Sequence, residues 1–302
     1  MPAQVIVRER HGPHPRLVAY KLRASRVWDD EWATYSPAAV REVMEYYRRF
    51  PVIYPTLRRH LPRDGEVVEA GSGLGHWVAL LREAGFAARG VDLSPEALAR
   101  ARAVFPGLAF DEGDVLALPF PDASLAGYVS FGVAEHFEDG PGRVLREAAR
   151  VLRDGGVMVI SVPWLSPLRR LQRVRPAAPP AGAAFYQYFF TRDEMVAAVE
   201  SAGFQVRAAD AYGTLKTLRD ELRALRARGR APAPAPAAPV LRPATKPAPA
   251  RREFDGRVGL VRGLRWWLHN ALLENRPLHR LAGHMLLLVA ERRPRGTPSP
   301  SP

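Results

Sequence analysis

Residues 66–75 read Glu66-Val67-Val68-Glu69-Ala70-Gly71-Ser72-Gly73-Leu74-Gly75, a short apolar run leading into a turn with glycine at every second position. The run has the length and β-branched content of a buried strand. His76 to Ala84 follows with a helical pattern, and Gly85 stands where a helix C-terminus wants glycine. Ala87 to Asp92 is a second strand with a carboxylate at its tip. Strand, glycine turn, helix, strand and acid form one physical unit. The glycines bring backbone close to a ligand, and the helix start offers free N–H groups and a positive dipole end. Asp92, 17 residues beyond Gly75, stands where an acid suits a pair of ribose hydroxyls.

The same alternation continues outward. Ser94-Pro95-Glu96 has the cap and first-turn proline of a helix start. Leu108–Phe110, Leu125–Phe131 and Val157–Val162 read as further strands. The stretch 143–152 reads as a helix with Val144, Leu145, Ala148, Val151 and Leu152 on one face. Thr191-Arg192-Asp193-Glu194 is a capping box opening a helix that ends at Gly203. Phe204–Ala209 is a sixth strand and Met285–Ala290 a last one. Strands without a polar face, separated by helices, predict a parallel sheet covered on both sides. Before this unit, residues 1–62 read as a polar lead and then a helix opened by Ser36-Pro37, with Val40, Val43, Met44 and Tyr47 at helical spacing. Residues 164–184 read as a loop rich in Arg and Pro.

Composition narrows the chemistry. The chain has 302 residues, 47% of them hydrophobic, enough to bury a core. It has no cysteine, which excludes disulfides, thiolate zinc sites, iron–sulfur clusters and a Cys nucleophile. The amino-terminal stretch lacks the apolar run of a secretion signal, and no run approaches the roughly 18 apolar residues of a membrane span. A cytoplasmic protein, at most peripheral to a membrane, is the expectation. Eighteen Lys+Arg and six Asp+Glu lie from Tyr212 onward, so +12 of the net +13 charge sits in the last third. That asymmetry points to an anionic partner. A compositional bias toward Arg, Ala, Pro and Gly explains it equally well, since only three of 44 basic residues are Lys.

The acid before the turn separates this pattern from the dinucleotide fingerprint GxGxxG. Glu69-Ala-Gly71-Ser-Gly73-Leu-Gly75 resembles motif I of the class I S-adenosylmethionine (SAM)-dependent methyltransferases, (D/E)xGxGxG. Gly90-Val91-Asp92-Leu93-Ser94 looks like their ribose-binding segment. Gly113-Asp114-Val115 with Leu118-Pro119-Phe120 is similar to the adenine segment of the small-molecule, "type 11" subset. Leu152-Arg153-Asp154-Gly155-Gly156, Phe189–Phe204 and Gly283–Ala290 resemble later segments, in order. The resemblance implies a doubly wound, seven-stranded Rossmann-like methyltransferase sheet with its last strand antiparallel, spanning 63–212 and 284–293. Around it lie an N-terminal helical segment or lid (1–62), a basic helical insertion (213–283) with an Ala/Pro linker at 231–250, and a disordered tail (294–302).

The resemblance also implies roles. SAM is the implied cofactor, held by Glu69, Ala70, Gly71, Ser72, Gly73, Gly75, Asp92, Leu93, Asp114, Val115 and Phe131. Glu69 orients the ammonium of SAM or caps the turn. Asp92 accepts both ribose hydroxyls, Asp114 the adenine amino group, and Leu93 packs on the adenine face. The (N/D)PP(Y/F) tetrad of many amino-group methyltransferases is absent, Ser130-Phe131-Gly132-Val133-Ala134-Glu135-His136 standing in its place; this disfavours that class and leaves oxygen, the expected atom, or a carbon, nitrogen or sulfur of a small molecule. Gly132 stands where related quinone-pathway enzymes carry the first acid of a metal site, so no metal is expected. His136, beside Glu135, is a candidate base with a free-state pKa of about 6.5, or a helix-start histidine bonded to backbone.

The acceptor pocket is expected under residues 1–62, 164–188 and 213–283, with Trp164, Tyr186 and Tyr188 as walls. The expected acceptor is a small or lipid-linked molecule. Val258–Leu273, with Arg257, Arg262 and Arg265 flanking Leu260, Leu264, Trp267 and Leu268, reads as a lid or as a peripheral membrane contact. A nucleic-acid partner is disfavoured, since no RNA-binding module is present. Two rivals remain: an NAD(P)-dependent oxidoreductase, and a non-catalytic basic adaptor on membrane or RNA.

Overall fold

A computed structural model describes residues 4–11, 14–21, 36–48, 52–171, 182–218 and 276–296. The main sheet holds seven strands. β3 (Glu66–Ala70), β4 (Ala87–Asp92), β5 (Phe110–Glu112), β6 (Leu125–Phe131), β7 (Leu152–Pro163), β9 (Phe204–Tyr212) and β10 (Met285–Arg292) lie in the order β5-β4-β3-β6-β7-β10-β9. The pairs from β5 to β7 are parallel. β10 runs antiparallel to both β7 and β9, as expected. The strand order reverses between β3 and β6, so the crevice at their carboxyl ends lies at the switch point. Ser130 Oγ pins that point by donating to the Ala70 carbonyl at 2.8 Å.

Alternate strand residues enter opposite layers, which is why the strands lack a polar face. Val68, Tyr128, Met158, Ile160 and Leu288 join one core. There they meet Val144, Leu145 and Ala148 of α5 (Gly142–Val151) and Met195 and Val199 of α7 (Arg192–Ser201). Val67, Val129, Val159, Leu287 and Val289 join the other. This second core packs against α1 (Pro37–Arg48), α2 (Ile53–His60), α3 (His76–Glu83) and α4 (Pro95–Val104) through Met44, Leu57, Leu80 and Leu98. The predicted caps are present: Ser94 Oγ accepts from Ala97 N, and Thr191 with Glu194 forms the full capping box.

Three expectations change. The lead is not merely polar and then helical: β1 (Gln4–His11) and β2 (His14–Lys21) pair antiparallel in it. The 164–184 loop contains a short helix, α6 (Pro167–Arg170), and leads into a strand that the sequence reading lacked, β8 (Ala184–Phe189). Together β1, β2 and β8 make a second, three-stranded sheet. Val18 and Tyr188 bury into the main core from one face of it; Leu17, Ala19 and Phe189 close on Leu165 from the other. The third predicted strand shifts to 110–112. The chain is helical at 214–218, while the rest of the insertion, with its linker at 231–250 and the helix at 258–273, lies outside the described residues, as does the tail from 297. Among the described residues no helix is long and apolar enough to cross a membrane.

Candidate active site

The glycine turn is built from backbone. Gly71 N and Ser72 N both donate to the Val91 carbonyl at 2.8 and 3.0 Å, and Gly75 N donates to Ser72 O. Two glycines answer to protein packing before any ligand. Gly71 sits at φ 80°, where an added Cβ would lie 2.4 Å from Val133 Cγ2. Gly75 sits at φ 76°, where one would strike the Phe110 ring at 2.4 Å.

Asp92 ties the two halves of the site together. Its Oδ2 accepts from Gly73 N at 2.7 Å and its Oδ1 from Ser94 N at 2.9 Å. The carboxylate therefore stands between the glycine turn and the start of α4. Each oxygen has a second lone pair with which to accept from a hydroxyl. Next to it Leu93 is 68% exposed, an apolar side chain held out at the rim of the crevice. Ser72 is buried and its Oγ makes no hydrogen bond. Ala70 is buried at the end of β3. Asp114 is exposed, and its Oδ1 accepts from Leu116 N at 2.9 Å. Val115 beside it is buried in the core.

Glu69 is 3% exposed, and its Oε2 accepts from Val78 N in the first turn of α3 at 3.1 Å. Burial pushes its carboxyl well above the usual carboxylate range, and the nearby Asp92 charge adds to the shift. Among the described residues no Lys or Arg pairs with it. Glu69 thus caps the first turn of α3 rather than the glycine turn. Two neighbouring carboxyls, one buried without a cation, fit a cationic ligand; its charge would draw Glu69 back toward the ionised form. The site therefore fits SAM: Glu69 faces a positive group, Asp92 and the glycine turn hold polar edges, and Leu93 supplies an apolar face.

The carboxyl end of β6 brings in the other candidates. Phe131 is half-buried and packs edge-on to Trp77, ring centroids 5.2 Å apart. Ala134–His136 is a single 3-10 turn in which Glu135 is buried. His136 Nδ1 lies 2.6 Å from the Tyr186 carbonyl, so Nδ1 carries the proton and Nε2 keeps its lone pair. Tyr186 also packs its ring on His136, centroids 4.8 Å apart. His136 is thus bonded to backbone through Nδ1, and its Nε2 lies 3.9 Å from Glu135 Oε1.

Of the three expected pocket walls, Trp164 lines a cavity with Arg192, Asp210, Arg280 and Leu286. Trp164 and Tyr188 are core residues, 8% and 3% exposed. Trp164 is fixed by its backbone N–H donating to the His284 carbonyl, and Tyr188 by its hydroxyl donating to the Glu138 carbonyl. Of the three only Tyr186 is not buried. Near the carboxyl end of β6 lie Tyr47 on α1, His76 at the start of α3 and Tyr212 at the end of β9, none of which the sequence reading singled out. Tyr47 packs on His76 at 5.5 Å and on Trp77 at 4.6 Å. Burial lowers the His76 pKa to about 4, and its Nδ1 is buried without a partner. Tyr212 donates to Ser161 Oγ at 3.0 Å. Among the described residues no three His, Asp or Glu converge on a metal position.

Sheet order, switch-point crevice and glycine turn define the class: a class I, Rossmann-like methyltransferase fold. Residues 68–160 match the family described as "Methyltransferase domain". A probable S-adenosylmethionine-dependent methyltransferase of Mycolicibacterium smegmatis is 33% identical over 164 residues, 53% of this chain and 60% of that protein. The demethylmenaquinone methyltransferase of Chlorobaculum parvum is 35% identical over 105 residues, 34% of this chain and 43% of that one. The chain thus spans 60% or less of these relatives. A chain in the solved complex between the Haloferax volcanii Trm112 methyltransferase activator and the putative methyltransferase superposes with a TM-score of 0.52 at 20% identity. That match covers 90% of this chain and all of that one, and shows the shared fold.

Proposed function

We propose that the protein transfers the methyl group of SAM to a small or lipid-linked acceptor, at oxygen. The observation that carries the reading is Glu69: a buried carboxyl with no cation beside it, at the mouth of a glycine turn whose other side is Asp92. A sulfonium substrate with an ammonium tail answers that arrangement. A dinucleotide, whose pyrophosphate is anionic, would meet Glu69 as a like charge, which disfavours the oxidoreductase reading.

The residues' work is positional. Methyl transfer is an in-line displacement at an activated sulfonium, and holding the two partners in line supplies much of the acceleration. Glu69 and the turn fix one end of SAM, Asp92 the sugar, and Leu93 with Asp114 the base. The carboxyl end of β6 then faces the acceptor. The basic excess from Tyr212 onward supports a lipid-surface contact for a lipid-linked acceptor. Incubating the protein with SAM and a cell extract, followed by mass spectrometry, tests the reading. Formation of S-adenosylhomocysteine with an O-methylated product supports it; SAM left unconsumed contradicts it.

A further inference from the structure

A cavity of about 340 Å³ opens at the carboxyl edge of the sheet, beyond the switch-point crevice. Trp164, Ala209, Ala211 and Leu286 give it an apolar wall, and Arg192 and Arg280 stand at the same wall. Trp164 follows the end of β7, Ala211 lies one residue before the end of β9, and Leu286 is the second residue of the antiparallel β10. The cavity therefore shares its edge with the ends of β3 and β6. β10 is two strands from β6, roughly 10 Å across the sheet.

The elements around the cavity are tied to one another. Trp164 forms a β-bridge with Phe190, which sets Arg192 at the start of α7 beside it. Arg280 belongs to α8 (Arg276–Ala282). His279 of that helix is buried, and its Nδ1 lies 2.8 Å from Thr214 Oγ1 just after β9. Gly283 lets the end of α8 close on the sheet: a Cβ there would stand 2.8 Å from Ala211 Cβ and 3.2 Å from Trp164 Cε3. The two arginines thus come from separate elements fixed to the same wall.

Their charge is not compensated. Surface arginines such as Arg48, Arg89, Arg207 and Arg295 pair with carboxylates. Arg192 and Arg280 are exposed, and among the described residues neither has a hydrogen bond or an ion pair. Asp210 also borders the cavity. Strand alternation sends its side chain to the face opposite Ala209 and Ala211, with Ala208 and Tyr212, and its Oδ1 accepts from Ala211 N. The chain adds a field of the same sign as the arginines. Residues 219–275, which leave and rejoin the described fold near the Thr214–His279 bond, carry twelve Lys+Arg against five Asp+Glu.

We propose that this cavity holds the phosphate of a phosphate-bearing acceptor, with Arg192 and Arg280 each donating to its oxygens, while the reacting group of the acceptor reaches the crevice at β6. The inference rests on the methyltransferase reading above. A phosphate monoester carries about two negative charges at neutral pH and presents several acceptor oxygens, which suits two guanidiniums on separate elements. A carboxylate is met in full by one of them. The apolar wall suits the carbon chain that bears the phosphate. The separation of roughly 10 Å sets the phosphate and the reacting group several bonds apart. A soluble phosphate ester and a phospholipid share this chemistry.

The test uses the full chain and two probes: glycerol 3-phosphate in calorimetry, and phosphatidylcholine vesicles with or without phosphatidic acid in sedimentation. Arg192→Gln with Arg280→Gln removes both donors. Arg58→Gln with Arg59→Gln removes the same charge from exposed positions on α2, which packs on the other face of the sheet. Wild type and the α2 variant should bind phosphate alike, as glycerol 3-phosphate if the source is a soluble ester and only as phosphatidic acid if it is a lipid. The cavity variant should bind it about tenfold or more weakly, with SAM binding unchanged. Given cell extract in limiting amount, the cavity variant should also form S-adenosylhomocysteine about tenfold more slowly than wild type. Wild type that binds neither probe, an equal loss in both variants, or an unchanged rate on extract would overturn the inference while leaving the methyltransferase reading standing. Failure of wild type to bind SAM would instead count against that reading.

Discussion

Replacing Glu135 by Gln should reshape the pH dependence of stability, whatever the acceptor. The carboxyl is completely enclosed and its pKa in the folded protein is about 8, against 4.5 for a free glutamate. Below pH 4.5 both states are protonated and the group contributes nothing. As pH rises, the unfolded chain ionises first while the folded chain stays protonated. Stability is therefore lost from about pH 4.5 upward, and the loss is complete above about 8. Each unit of difference is worth about 1.4 kcal/mol, so the full loss has a ceiling of about 5 kcal/mol. Gln carries no such cost. Urea unfolding of both proteins at pH 5 and pH 9 reads the difference. The two should be alike within about 1 kcal/mol at pH 5, and the variant should be the more stable by several kcal/mol at pH 9. Parallel profiles across that range would show that Glu135 ionises freely in the folded state, and the burial argument would fail.

Other changes have separate readouts. Gly71→Ala places a Cβ against Val133 on backbone at φ 80°; a loss of about 2–3 kcal/mol in thermal unfolding is expected. A variant as stable as wild type would mean that the turn relaxes. His76 is held near pKa 4 against 6.5 when free, so the unfolded chain takes up its proton first. About 3 kcal/mol should be lost as pH falls from 6.5 to 4, and His76→Phe should abolish that part of an acid titration. Thr191→Ala breaks the capping box of α7 and should cost about 1 kcal/mol in chemical denaturation; no change would show that water satisfies the freed amide.

The central sheet was legible because its signals are local. A strand, a glycine turn and a capped helix lie within twenty residues, and strands buried on both faces leave an uninterrupted apolar run. The β1–β2 hairpin was harder to see. Val5-Ile6-Val7 and the Gly12-Pro13 turn signal are present, but the charged stretch from Arg8 to His11 hides the strand character. β8 is mostly aromatic, Phe185-Tyr186-Gln187-Tyr188-Phe189, and nothing local says that Tyr188 faces the core. The cofactor side of the site followed from motif spacing. The packing of Tyr47 on Trp77 and the bond from Tyr212 to Ser161 were not legible, because each joins elements far apart in the chain. Tyr47 was visible only as one more residue on an apolar helix face, and Tyr212 carried no signal at all.

The account depends on a buried, cation-seeking carboxyl beside a glycine turn, and calorimetric titration of the full chain with SAM tests it most directly. Wild type should bind one SAM per chain. Glu69→Gln, which keeps the cap on Val78 but removes the negative charge, should weaken binding about tenfold or more, a change of at least about 1.4 kcal/mol. No heat of binding from wild type, or equal affinity in the two proteins, would contradict the site as it is drawn here.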